Sequence, residues 1–67
     1  MSVAKVIEVS ATSSESFDDA VRQGIAKAGE SVRNIKSAWV KEQIARVGDD
    51  GSVTEFQVNL KITFVLE

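Results

Sequence analysis

The chemistry open to this chain rests on amides, hydroxyls, amines, carboxylates and one indole, because the sequence contains no Cys and no His. That removes thiolate nucleophiles, disulfides, Cys/His zinc sites and imidazole general bases. Two stretches carry the remaining polar chemistry at a spacing of two: Ser37, Trp39, Lys41 and Gln43, and then Gln57, Asn59, Lys61 and Thr63. On a β-strand that spacing sends all members of a stretch to one face. A face meant only for water has no need of the chain's single Trp. Two roles suit Trp39: an anchor between subunits, which favours a large amphipathic ring, and a platform on which a planar ligand stacks. Gln57 carries a donor and an acceptor on one amide, as a uracil-like or pyrimidine edge requires. Its ordinary alternative is solvation or a cross-strand pair. Lys41 and Lys61 can meet a phosphate or carboxylate, or simply stay hydrated.

The acidic residues point elsewhere. Asp49 and Asp50 lie in the Gly-bounded segment Gly48-Asp49-Asp50-Gly51, where turn formation accounts for them better than a hard-cation site does. Asp18 and Asp19 are neighbours on a predicted helix, so their carboxylates diverge and form no catalytic pair. The sequence has no GxGxxG, P-loop, HExxH or nucleophile elbow. No catalytic residue is assigned, and the chain is not expected to be an enzyme.

The elements that must position these residues are readable. From Phe56 onward, Phe56, Val58, Leu60, Ile62, Phe64 and Leu66 alternate with Gln57, Asn59, Lys61, Thr63 and Val65. This predicts a half-buried strand over residues 53–67. A second strand is predicted over 34–47, with Ala38, Val40, Ile44, Glu42 and Arg46 on one face and Trp39, Lys41, Gln43, Ala45 and Val47 on the other. Residues 48–51 join the two strands as a hairpin. A first strand is predicted over 3–10, β-branched but irregular in its alternation. Between the first and second strands, Thr12-Ser13-Ser14-Glu15-Ser16 gathers helix-start signals. Ser13 or Ser14 can serve as N-cap, and Thr12 with Glu15 fits a capping box. The helix is predicted to run to about Val32, with Phe17, Ala20, Val21, Gly24, Ile25, Ala28 and Val32 on one side. Gly24, on that apolar side, is expected where helix backbone packs closely on the sheet. The order is β-α-β-β, an α+β domain over residues 1–67 whose helix covers one face of a three-stranded sheet.

A chain of 67 residues without Cys or His lacks disulfide and zinc support, so oligomerisation is the expected source of stability. Its formal net charge is -2, and its Lys and Arg residues are scattered rather than blocked. Nucleic acid is therefore not an expected partner. No segment reaches membrane-spanning length and no signal peptide is evident, so a cytoplasmic location is expected.

These residues together resemble the dodecin family. The resemblance runs through Lys5-Val6-Ile7-Glu8, Thr12-Ser13, Ser31-Val32-Arg33-Asn34-Ile35 and Trp39-Val40-Lys41-Glu42-Gln43. It is closest over Glu55-Phe56-Gln57-Val58-Asn59-Leu60-Lys61-Ile62-Thr63-Phe64-Val65-Leu66-Glu67. It implies an antiparallel sheet wrapped around one helix and a hollow homododecamer. It also implies flavin binding (FMN, riboflavin, FAD or lumichrome) for storage, buffering and photoprotective quenching. Some dodecins bind coenzyme A, and a branch without the usual stacking Trp is associated with calcium and salt ions. The family's Gln matches Gln57, but its stacking Trp falls on Ser37. Trp39 lies two positions later, about 6.6 Å along the strand. The segment from Ser37 to Gln43 resembles the branch without that Trp. The expected binding residues are thus Trp39, Gln57, Ser37, Lys41 and Gln43, with a flavin as the expected ligand and, as the alternative, a metal or salt ion or another small ligand such as coenzyme A.

Overall fold

The long alternating segment near the end of the chain forms the middle of the sheet. In the computed structural model, which describes residues 2–66, the elements are β1 (Ala4–Ser13), α1 (Phe17–Ala28), β2 (Ile35–Val47) and β3 (Val53–Val65). The sheet order is β1-β3-β2, and both pairings are antiparallel. β3 is central because its apolar row is the most regular: Val58, Leu60 and Ile62 are 0 % exposed. α1 lies across this row with Ala20 buried at the contact, and Ile7, Val9, Val21, Ile25, Ala38 and Val40 pack around it. Phe17 meets Phe56 edge to face, with ring centroids 5.0 Å apart.

Gly24 holds the helix against the sheet. A Cβ there would lie 3.0 Å from Ala11 Cβ and 3.0 Å from Leu60 Cδ1, tighter than most packed carbons, so a neighbour would have to give way. The predicted close approach is therefore present.

Three boundaries differ from the sequence reading. First, β1 runs on to Ser13, which pairs with Phe56. The helix begins later as a result, with Ser16 as N-cap accepting from the Asp19 N–H at 2.9 Å. Ser13 is buried and organises the turn instead: its Oγ accepts from the Glu15 N–H at 2.9 Å and donates to Asp19 Oδ2 at 2.6 Å. Several adjacent hydroxyls can cap a helix. The strand pairing claims Ser13 and leaves Ser16 for the cap.

Second, α1 ends at Ala28 rather than Val32. The N–H groups of Ser31 and Val32 both return to the Ala28 carbonyl, at 3.0 Å each, closing the end of the helix. Asn34 then takes φ 64, a left-handed conformation that Asn tolerates. Third, β3 ends at Val65. The predicted strand residue Glu67 lies outside the described residues.

The molecule measures 53 × 19 × 14 Å with a radius of gyration of 13.8 Å. A compact chain of this length would be near 11 Å. The excess comes from strands that outrun the helix covering them.

Candidate functional site

The face of the sheet turned away from α1 is the candidate site, and its side chains follow from the pairing. Directly opposed residues in an antiparallel ladder share a face. One cross-strand row is Val6–Thr63–Ser37, the next Glu8–Lys61–Trp39, then Ser10–Asn59–Glu42, then Thr12–Gln57–Ile44.

Trp39 belongs to this face and is 62 % exposed. Lys61 Nζ stands 5.9 Å from its ring centroid, within cation–π range. Lys41 reaches across the sheet to Glu8, Nζ to Oε2 3.3 Å. The Ser10–Asn59–Glu42 and Thr12–Gln57–Ile44 rows are tied together by hydrogen bonds. Asn59 Nδ2 donates to Glu42 Oε1 at 2.7 Å, and Ser10 Oγ donates to Asn59 Oδ1. Gln57 Nε2 donates to Ser10 Oγ and to Asn59 Oδ1, both at 3.2 Å. Arg46 Nη2 donates to Gln57 Oε1 at 2.8 Å. Both ends of the Gln57 amide are thus occupied.

Four of the five predicted binding residues, Ser37, Trp39, Lys41 and Gln57, share this face. Gln43 does not. A β-bulge between Val40 and Glu42 inserts Lys41 as an extra residue, and the alternation reverses beyond it. Gln43 therefore pairs with buried Val58 and lines a cleft beside Asp18, Val21 and Arg22 on the helix side. By the same reversal Glu42, Ile44 and Arg46, assigned by simple alternation to the helix side, lie on the open face, and Ala45 moves off it. Arg46, Glu42, Ser10 and Asn59 are the members of the network that the sequence reading left out of the site. The regular alternation of β3 pointed to Asn59, but nothing local announced the bulge.

Separation along the strands limits what one copy can do. The Trp39–Lys61 pair is four residues of β3 from Gln57, about 13 Å, and the Ser37–Thr63 pair is six residues away, about 20 Å. A compact ligand touching Gln57 in one copy does not reach Ser37 of that copy. A groove of about 690 Å³ runs between β1 and α1, floored by Ile7, Val9 and Ala11, and none of the predicted binding residues lines it.

For a metal ion, the Ser10–Asn59–Glu42 row offers hard oxygen atoms with one carboxylate among them. Among the described residues, no group of three or more acidic side chains is placed to hold a metal ion. A calcium ion takes about six to eight oxygen ligands. The row fits calcium only as part of a shell completed by water or by another copy. Among the described residues, no helix is long and apolar enough to cross a membrane.

Comparison with known proteins agrees with this geometry. The sequence profile of the family described as Dodecin matches residues 3–67. The chain is 36% identical over 64 residues to a protein of Mycobacterium tuberculosis named calcium dodecin, covering 96% of this chain and 89% of that one. Among solved structures, a mutant of the Thermus thermophilus dodecin matches with a TM-score of 0.91 and 34% identity, over 100% of this chain and 98% of that one. The dodecin of Streptomyces davaonensis matches with a TM-score of 0.91 and 30% identity, over 98% and 96% of the two chains. The M. tuberculosis calcium dodecin, described as calcium chelating with a novel calcium-binding site, matches with a TM-score of 0.82 and 31% identity, over 97% and 91%.

Proposed function

The chain belongs to the dodecin family, and from that premise we propose that its open sheet face holds a hard cation such as calcium, rather than a flavin, at a contact between copies. Dodecins are small non-catalytic binding proteins that self-assemble into homododecamers. In this reading the assembly stores or buffers the ion. The observation that carries the proposal is the state of Gln57: its amide is taken up by Arg46 at one end and by Ser10 and Asn59 at the other. A ring edge would have to displace the charged Arg46 guanidinium, whereas a cation can enter at the Glu42 carboxylate and draw in the Asn59 and Ser10 oxygens at the cost of hydrogen bonds from neutral donors alone. Ser37 adds support, because it places a hydroxyl opposite Thr63 where the resemblance expects a stacking ring. The name of the M. tuberculosis relative points the same way. Cytoplasmic residence belongs to the same proposal.

Equilibrium dialysis of the purified assembly against calcium and against riboflavin tests this. Calcium should be retained, retention should fall at least tenfold in Glu42→Gln, and the preparation should be colourless. A yellow preparation that releases flavin on denaturation, with no calcium retained, would overturn it.

One observation favours a second reading, flavin storage with photoprotective quenching. Trp39 is exposed with the Lys61 ammonium over its ring, so a planar ligand can stack there by displacing that ammonium without breaking a hydrogen bond. Close stacking would also place an electron donor against an excited ring. Under this reading Trp39→Ala keeps the assembly, as seen by sedimentation, and loses flavin affinity. A Trp39→Ala protein that no longer assembles assigns the ring to a subunit contact instead.

A further inference from the structure

We propose that Arg46 is a specificity-determining residue of the open face, because its guanidinium occupies the Gln57 carbonyl and so turns away planar heterocycles that must place a ring N–H there. The inference deepens the function proposed above, since it rests on the surface around Gln57 being where the ligand binds.

Arg46 reaches this position through backbone geometry. The bulge at Lys41 exchanges the faces of all the residues that follow it on β2. Without that extra residue Arg46 would point to the helix side and Gln57 would face its neighbours with a free carbonyl. With it, Arg46 Nη2 lies 2.8 Å from Gln57 Oε1. Among the described residues no carboxylate lies within ion-pairing distance of Arg46, so the guanidinium is not drawn away toward an acid. A hydrogen bond from a charged donor is stronger than one between neutral groups. The incoming ring N–H is neutral, so it would exchange a strong partner of Gln57 for a weaker one.

The other end of the amide reinforces this selection. Gln57 Nε2 is shared between Ser10 Oγ and Asn59 Oδ1, which fixes the amide with its carbonyl toward Arg46. A ligand edge offering an acceptor beside its N–H, as an imide does, would have to break contacts at both ends. An ion bound through the Glu42 side of the network disturbs neither Arg46 nor the Gln57 carbonyl. Arg46 therefore separates two ligand classes on one surface by blocking one of them.

The test is riboflavin binding, read by fluorescence quenching, on assemblies of wild type and Arg46→Ala. Riboflavin carries an imide edge and no phosphate, so loss of a cationic contact cannot mask a gain. Position 37 of the same copy is about 20 Å from Gln57, so a ring placed there can stack on a ligand at Gln57 only from a neighbouring copy, and the comparison is repeated on Ser37→Trp and Ser37→Trp/Arg46→Ala. Removing Arg46 should tighten riboflavin binding about tenfold or more in at least one pair, and adding Gln57→Leu should cancel the gain. Sedimentation confirms that each variant is assembled. Equal affinities within both pairs, or a gain that survives Gln57→Leu, would overturn the inference. Its failure is separable from that of the ion reading, which is decided by calcium retention in the wild type.

Discussion

The two faces of β3 are built from the same strand and perform different work. On the helix side, Val58, Leu60, Ile62 and Phe64 are buried and their neighbours are apolar. On the open side, Gln57, Asn59, Lys61 and Thr63 are only partly covered and are met largely by hydroxyls, carboxylates and cationic groups from the flanking strands, with the Trp39 ring among them. One face derives its free energy from removing carbon from water, the other from directed contacts that can be exchanged. The contrast teaches that a strand of this kind can hold the fold with alternate residues while the residues between them remain available for a ligand.

The most direct way to break the contrast is to truncate one residue on each face. Leu60→Ala should lose about 3 kcal/mol of stability in chemical denaturation, since a fully buried Leu leaves a cavity. Thr63→Ala should cost about 0.5 kcal/mol. Similar losses from the two would mean that the open face is packed as tightly in the assembly as the core is in the subunit.

A smaller effect sharpens the helix side. Gly24→Ala gains about 1 kcal/mol of helix propensity but meets Ala11 and Leu60 at 3.0 Å. Overpacking of this sort costs about 2 kcal/mol. The net expectation is a loss of about 1 kcal/mol, read from the urea midpoint; a rise in the midpoint would show that the helix can lift without penalty.

The smallest effect belongs to the β2–β3 turn, outside both faces. The Ser52 hydroxyl, and after it the Ser52 N–H, hold the Asp50 carboxyl below its ordinary value of 3.8. A lowered folded value means that the contribution is fully present above the ordinary value and is lost as pH falls through the folded one. Asp50→Asn should therefore be slightly less stable than wild type at neutral pH, with the difference vanishing in acid below that range. A difference that persists unchanged into strong acid would show that charge is not its source.

Much of this architecture could be read from the chain. The alternation from Phe56 onward gave the central strand and both its faces, and Gly48 to Gly51 gave the hairpin. Gly24 marked the close helix–sheet contact. The helix start was blurred because four of the five residues 12–16 carry a hydroxyl that can cap, and only the long-range pairing of Ser13 with Phe56 decides among them. The helix end was blurred because Val32 continues the apolar spacing beyond the point where the backbone leaves the helix. For the site, Trp39 and Gln57 were visible by type, but Arg46 and Glu42 were not. Their face depends on the bulge that inserts Lys41 between Val40 and Glu42, and one extra polar residue beside another leaves no mark in the hydrophobic pattern. Ile44 hid it further, because an apolar residue at that spacing suits a regular strand facing the helix.

Asn34 carries a consequence of its own. It stands in a left-handed conformation one residue before β2 begins, its carbonyl accepts from the Val65 N–H at 3.1 Å, and Ile35 opposite Phe64 follows at once. The joint therefore acts as the origin from which β2 is counted along its partner, and a side chain branched at Cβ would be excluded there on steric grounds. Shifting that origin by a single step would carry Trp39 off its lysine and Arg46 off its glutamine together. A change at a joint remote from both would thus misplace the two ends of the open sheet face in one move.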